Sequence, residues 1–454
     1  MTKNLLLNCS FIGVLFLSGC TTIDPHLSIE IEKAPHYKEQ NSSTSHSVKE
    51  QWWQEFHTDN LNELINKALK QSPDLLSSYE KIEQAKIALN SAGAQYLPSV
   101  DLRATTNASS TDSRSSESTN AEVSMNYELD VWGKIAANID NARESVSISI
   151  YDYEAIKLSL TSNIAQGYFN YIHTLQRVQI AKNNLEIAQK VLNVMEARLR
   201  FGTINALDVS RQKTTLFTQE ATLIALQNQA KIYKTALAIL VGESPSLFKL
   251  EKNSIETITI PTVSAGLPSE LLLRRPDIAS AQASIKASRA SIMVKDAMRY
   301  PSFSLSGATG LSSLQLLSFT DPSYSINGGL GISYNIFDDG ILTNARLIEE
   351  SKAEAILQDY KKVVLTAFKE VEDALSTAQY ANENLILIEK IVSETQKTFD
   401  LAAIQYKNGL IDFTTFLEIQ QSYFNAQERH IVAKQERLVA VVTLYKALGG
   451  GFKL

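Results

Sequence analysis

The sequence predicts a mixed α and β membrane protein in which one structural unit occurs twice. Three observations carry the prediction. An export signal ends on a cysteine, a set of prolines and glycines recurs at fixed offsets along the 454 residues, and short period-two apolar patterns alternate with very long helical ones.

The chain begins with Lys3, an apolar run "LLLNCSFIGVLF", and "LSGC" closing on Cys20. That run is too short to span a bilayer and reads as a signal peptide over residues 1–19. The motif resembles a bacterial lipobox, which implies cleavage before Cys20 and lipidation of that residue. Thr21, rather than an aspartate, follows the cysteine, and by resemblance to sorted lipoproteins this favours the outer membrane. Residues 20–50 are polar without a sustained period and read as an extended tether from the lipid. Cys9 leaves with the signal, so the mature chain has no disulfide and must be held by packing.

Composition excludes several classes. A net charge of −6 argues against a nucleic-acid binder, which carries a basic face. The 6 histidines are scattered, so no metal site is expected. "GGLGIS" at 328–333 lacks the lysine and following helix of a phosphate loop. No nucleophile, base and orienter fall together, so neither a cofactor nor an enzymatic activity is expected.

Pro73-Asp74 recurs 203 residues later as Pro276-Asp277, and Pro98 as Pro301. Gly133, Gly202 and Gly242 recur 207 residues later as Gly340, Gly409 and Gly449. Fixed offsets of this kind mark a tandem duplication. The first repeat is 51–243, the linker 244–267, and the second repeat 268–454. The stretch "LLLRRPDIASAQ" therefore opens the second copy. Its first-copy counterpart has Gln71 and Ser72 where Arg274 and Arg275 stand, which favours packing or salt-bridge roles for the arginines over an anion site.

Each repeat reads as a helix, two strand patterns and then long helices. Val100, Leu102 and Ala104 alternate with Asp101, Arg103 and Thr105, and "AEVSMNYELDV" alternates again. Phe303 and Leu305, then Ile326, Leu330 and Ile332, do the same in the second copy. Each run approaches the ~9–11 residues that cross a bilayer as a tilted strand. "SSTDSRSSEST" and "SSLQLLSFTDPSY" read as the hairpin loops, and Tyr127, Trp132, Phe303 and Tyr334 as an aromatic girdle at the opposite ends. Four strands cannot close a barrel and lipid tolerates no open edge, so several chains must share one barrel. Its polar lumen would be lined by Asp101, Arg103, Glu122, Glu128 and Asp130.

No proline interrupts the chain between Gly133 and Gly202. One continuous helix there would reach ~100 Å at ~1.5 Å per residue, although a break into two is compatible with Gly167. Its apolar stripe from Ile139 to Leu199 steps by threes and fours, averaging ~3.5, the coiled-coil period. Such helices must pack side by side and turn back near the paired glycines.

These features together resemble the outer-membrane factor family, the TolC-type ducts, and within it the NodT-like efflux lipoproteins. The resemblance is carried by "WWQEFHTDNLNELINKAL", "YELDVWGK", "LLLRRPDIASAQASIKASRASI", "RYPSFSLSGATG" and "LYKALGGGF", the last ending on Phe452 where relatives often have tryptophan. It implies a homotrimer with a twelve-stranded barrel continuous with a periplasmic helical barrel, acting as a passive exit duct for small molecules. It also implies a periplasmic adaptor (membrane fusion protein) and an inner-membrane pump of the resistance-nodulation-division or a related class. Helix-turn-helix tips at Gly202-Thr203 and Gly409-Leu410 would dock the adaptor. Asp208, Arg211, Tyr406 and Glu418 would form a periplasmic gate, with Gln405 standing where relatives carry arginine. The alternatives are a duct for type I protein secretion and a coiled-coil envelope lipoprotein without a channel.

Overall fold

The computed structural model describes residues 48–112, 114–250, 258–261, 263 and 274–453. The signal peptide, Cys20, the tether as far as residue 47 and most of the linker lie outside the described residues. A 3-10 turn, Trp52–Phe56, is followed by helices α1 (Asp59–Gln71) and α2 (Pro73–Gly93), then strands β1 (Ser99–Thr111) and β2 (Arg114–Leu129). Helices α3 (Lys134–Arg200) and α4 (Ala206–Val241) complete the first pass. The second pass runs α5 (Pro276–Ala297), β3 (Ser302–Ser313), β4 (Ser323–Ser333), α6 (Ile341–Lys407) and α7 (Phe413–Ala447).

The duplication is visible element by element. α3 and α6 are each one uninterrupted helix of 67 residues, so Gly167 causes no break. Among the described residues, no helix is long and apolar enough to cross a membrane. All six repeat glycines have positive φ, between 72° and 85°. That conformation costs an L side chain roughly 1–2 kcal/mol, which explains glycine at these positions in both copies.

The chain forms two compact units, and they are not the two repeats. Of the described residues, one takes Lys81–Ile150 and Ser280–Lys361, the other 48–80 with those of Tyr151–Ala279 and Lys362–Leu454, so each draws on corresponding parts of both copies.

The first unit holds the sheet, antiparallel throughout in the order β1-β2-β3-β4. Each ladder keeps a single register, so the alternation read from the sequence becomes two faces. Val100, Leu102, Val123, Met125, Leu305, Leu311, Ile326, Leu330 and Ile332 share one face, and Asp101, Arg103, Glu122, Glu128, Ser304, Ser306, Asn327 and Ser333 the other. The first hairpin corrects the expected loop. "SSTDSRSSEST" is mostly ladder, with Ser109 opposite Ser116 and Thr111 opposite Arg114. Ladder bonds are backbone bonds, and serine and threonine alternation does not interrupt them. The second loop does open, between Ser313 and Ser323.

The second unit is built on an aromatic core. The 3-10 turn exists to bury Trp52, Trp53 and Phe56 against α3, α4 and α7, where Tyr168, Phe169, Ile172, Leu237 and Tyr445 are also buried. Trp52 stacks on Tyr445 with centroids 5.1 Å apart. The Tyr445 hydroxyl donates to Glu55, and burial together with that carboxylate raises its pKa. Each large side chain buried here contributes about 1.5–3 kcal/mol.

Arg275 lies in this unit and is 8% exposed. It donates to Asp277 through Nε at 3.0 Å and Nη2 at 2.6 Å, to Glu370 at 2.6 Å and to the Ala447 carbonyl at 3.1 Å. Its donors are occupied by carboxylates and a backbone oxygen, so it is a salt-bridge residue joining the start of α5 to α6 and α7.

Candidate functional site

Both helical hairpins end in the same backbone motif. The Gly202 N–H donates to Leu199 O at 2.9 Å and the Thr203 N–H to Arg198 O at 3.0 Å. The Gly409 N–H donates to Tyr406 O at 3.2 Å and the Leu410 N–H to Gln405 O at 2.9 Å. These 6→1 closures need a left-handed residue after the helix, and the helix macrodipole then ends on bonded carbonyls. The returning helices are capped alike. Asn205 accepts from the Asp208 N–H at 2.9 Å, and Asp412 accepts from the Thr415 N–H at 2.8 Å, which holds the Asp412 carboxyl below its ordinary range.

The tip core contains Leu192, Met195, Val209, Ala402, Phe413 and Phe416. Across it runs a ladder of rings. Tyr423 stacks on Phe399 at 5.1 Å, Phe399 lies 6.0 Å from Phe416, and Phe416 stacks on Tyr406 at 5.0 Å. Arg198 closes the ladder, its Cζ 4.9 Å from the Tyr406 centroid. Burial raises the Tyr406 pKa and Asp208 adds to that, while Arg198 opposes both.

Of the predicted gate residues, Asp208 and Tyr406 therefore share one electrostatic environment. Arg211 instead donates to Thr414 Oγ1 at 3.0 Å, tying α4 to α7. Glu418 is exposed on α7 and has no ion pair among the described residues. Phe201 and Leu410, flanking the tip glycines, are 83% and 73% exposed.

The predicted lumen residues divide. Asp101, Arg103, Glu122 and Glu128 occupy the polar face of β1 and β2. Asp130 does not belong with them. β2 ends at Leu129, and the Asp130 carboxylate accepts from the Ile135 and Ala136 N–H groups, both at 2.9 Å, so it caps α3. Trp132 likewise leaves the strand. It stacks on Tyr300 at 5.0 Å and donates to Pro301 O at 2.6 Å, while Tyr334 follows the last residue of β4.

The model of the family described as "Outer membrane efflux protein" matches residues 64–243 and 267–450, one match for each pass of the chain. The chain belongs to the outer membrane efflux protein family. This efflux protein is 32% identical over 419 residues to the pyoverdine export outer membrane protein OpmQ of Pseudomonas aeruginosa, covering 89% of this chain and 88% of the relative. It is 26% identical to the cation efflux system protein CusC of Escherichia coli, covering 88% of each chain. The outer-membrane channel OprN superposes with a TM-score of 0.85 at 25% identity, covering 94% of this chain and 99% of that one.

Reasoning from sequence missed two features of this efflux protein, and each had a signal. Arg198 stands 207 residues before Gln405, so the positive charge absent from the second copy is present at the equivalent position of the first. The ring ladder was legible as heptad spacing, Phe399 to Tyr406 on α6 and Phe416 to Tyr423 on α7.

Proposed function

We propose that this efflux protein is the outer-membrane exit duct of a tripartite pump. Three copies contribute four strands each to one shared twelve-stranded barrel, and α3, α4, α6 and α7 continue it as a periplasmic tunnel. The tips at Gly202 and Gly409 meet a periplasmic adaptor, and an inner-membrane pump of the resistance-nodulation-division type supplies the energy. Cys20 carries the lipid anchor. Asp208, Tyr406, Arg211 and Glu418, repeated by threefold symmetry, narrow the periplasmic mouth. The duct performs no chemistry.

The observation that supports this best is the sheet. One face is apolar and one polar, and β1 and β4 each present an outer edge that no strand among the described residues covers. Unpaired strand edges cost several kcal/mol per buried polar group in lipid. Pairing β4 of one copy with β1 of the next removes both edges, turns the apolar face to lipid and encloses the polar one. Pyoverdine and cations, the cargoes in the names of two relatives, have little in common chemically. That contrast supports selection upstream of the duct, by the pump.

The test is biochemical. Protein extracted from outer-membrane fractions should run as a trimer on unheated SDS gels and form discrete conductance steps in planar bilayers. A monomeric, non-conducting protein would refute the reading.

A further inference from the structure

The polar face of the sheet carries its charge unevenly. Arg103 on β1 stands directly opposite Glu122 on β2, and Asp101, two residues back along β1, stands opposite Ser124. Directly opposed Cβ atoms lie about 4.5–5.5 Å apart and diagonal ones about 7–8 Å, so one guanidinium is flanked by two carboxylates. Farther along β2, Glu128 is already paired with Lys134 at 2.5 Å. Across the same face, β3 presents Ser302, Ser304, Ser306, Ala308, Gly310 and Ser312, and β4 their partners Ser333, Gly331, Gly329, Asn327, Ser325 and Ser323, all of them uncharged. Gly310 sits opposite Glu122. A Cβ there would lie 2.8 Å from Ala121 O and 3.3 Å from the Glu122 backbone, so the β3 position directly facing Glu122 carries no side chain.

We propose that Asp101, Arg103 and Glu122 are the charge filter of the barrel passage. The proposal rests on the reading that the polar face lines a lumen shared by three copies. Each copy then contributes one guanidinium and two carboxylates, and the ring carries three net negative charges. A low-dielectric wall bearing one sign of charge concentrates counter-ions, so the open barrel prefers cations. This filter is separate in sequence and in fold from the carboxylates at the helical tips.

The charge can be stepped. Asp101→Asn leaves one carboxylate for each guanidinium, and the potassium-to-chloride permeability ratio falls to near unity. Asp101→Asn with Glu122→Gln leaves Arg103 alone, and the ratio drops below unity. Arg103→Gln removes the opposing charge and raises the ratio above wild type. Reversal potentials are read in planar bilayers at low salt, where the Debye length of about 30 Å at 0.01 M leaves the ring unscreened. Each variant is first shown to be an SDS-resistant trimer. Conducting variants that all keep the wild-type ratio would overturn the filter and leave the duct standing, whereas wild-type protein without conductance would overturn the duct itself. As a check independent of folding losses, Asp101→Cys in the assembled channel is treated with charged thiosulfonates. A negatively charged reagent should restore the wild-type ratio and a positively charged one should invert it. A conducting channel in which neither reagent alters the ratio would exclude Asp101 from the lumen.

Discussion

Arg198 of α3 lies over the ring of Tyr406 of α6, with Cζ 4.9 Å from the ring centroid. The two helices come from different copies of the repeat, and the arginine occupies the position equivalent to Gln405. A cation over a partly buried ring contributes about 0.5–2 kcal/mol. Arg198→Ala should therefore loosen the tip and increase single-channel conductance or open time, with Arg198→Lys intermediate and Gln405→Ala silent. Bilayer recordings giving the reverse order, an effect at Gln405 and none at Arg198, would contradict the assignment.

The repeat glycines should differ in tolerance although they share one conformation. At Gly202 and Gly409 a Cβ would meet no atom within 4 Å, so alanine adds only the strain of positive φ, about 1–2 kcal/mol. At Gly449 a Cβ would fall on the Arg274 carbonyl oxygen, and the helix end would have to move. Gly409→Ala should yield folded trimer with a modestly lower Tm. Gly449→Ala should yield little or none on unheated gels. Equal yields would mean that the junction between the end of α7 and the start of α5 gives way readily.

Arg275→Met should destabilise the protein by about 1–3 kcal/mol. Removing one partner of a buried pair costs more in general, but Asp277 and Glu370 are 39% and 47% exposed and regain solvent. Adding Asp277→Asn and Glu370→Gln should recover part of the loss, read as thermal unfolding of detergent-solubilised protein. If the triple variant is no more stable than Arg275→Met, the cost lies in lost packing and not in stranded charge.

Much of this architecture was legible because its causes are local. Positive φ favours glycine at Gly133, Gly202 and Gly242 and again 207 residues later, so backbone geometry wrote the duplication into the sequence. Side-chain alternation in strands follows from the pleat, and unbroken ladders kept Asp101, Arg103, Glu122 and Glu128 on one face. The misreadings occurred where a residue's partner is set by a boundary or by another copy. Asp130 continues the strand pattern by one residue, yet the unpaired N–H groups at the start of α3 claim its carboxylate. Arg198 reaches its ring only because α3 and α6 are brought together at the tip, which no single stretch of sequence specifies. The compact units cut across both repeats for the same reason. Corresponding elements of the two copies fall in the same unit, and the second copy's Leu438, Val442 and Tyr445 complete a core that the first copy supplies in larger part.

His173 gives the fold a pH dependence that can be assigned to one residue. It sits in α3, 6% exposed, with Nδ1 unpaired among the described residues, and the Ile431 backbone is its hydrogen-bond partner. Burial, and then the nearby Arg177, lower its pKa from 6.5 to about 4. Between those values the unfolded chain holds a proton that the folded one does not, so stability falls as pH drops through this window, by up to about 1.4 kcal/mol per unit. Wild-type protein should lose thermal stability between pH 7 and pH 5, and His173→Gln should lose less over the same interval. Arg177 is paired with Glu428, so Glu428→Gln leaves the guanidinium charge uncompensated and should depress His173 further. Because the wild-type pKa already lies below pH 5, the loss from pH 7 to pH 5 should be little changed by that variant, while the loss from pH 5 to pH 4 should grow. If His173→Gln and wild type melt with the same pH profile, the acid sensitivity arises from carboxylates elsewhere and the histidine has no part in it.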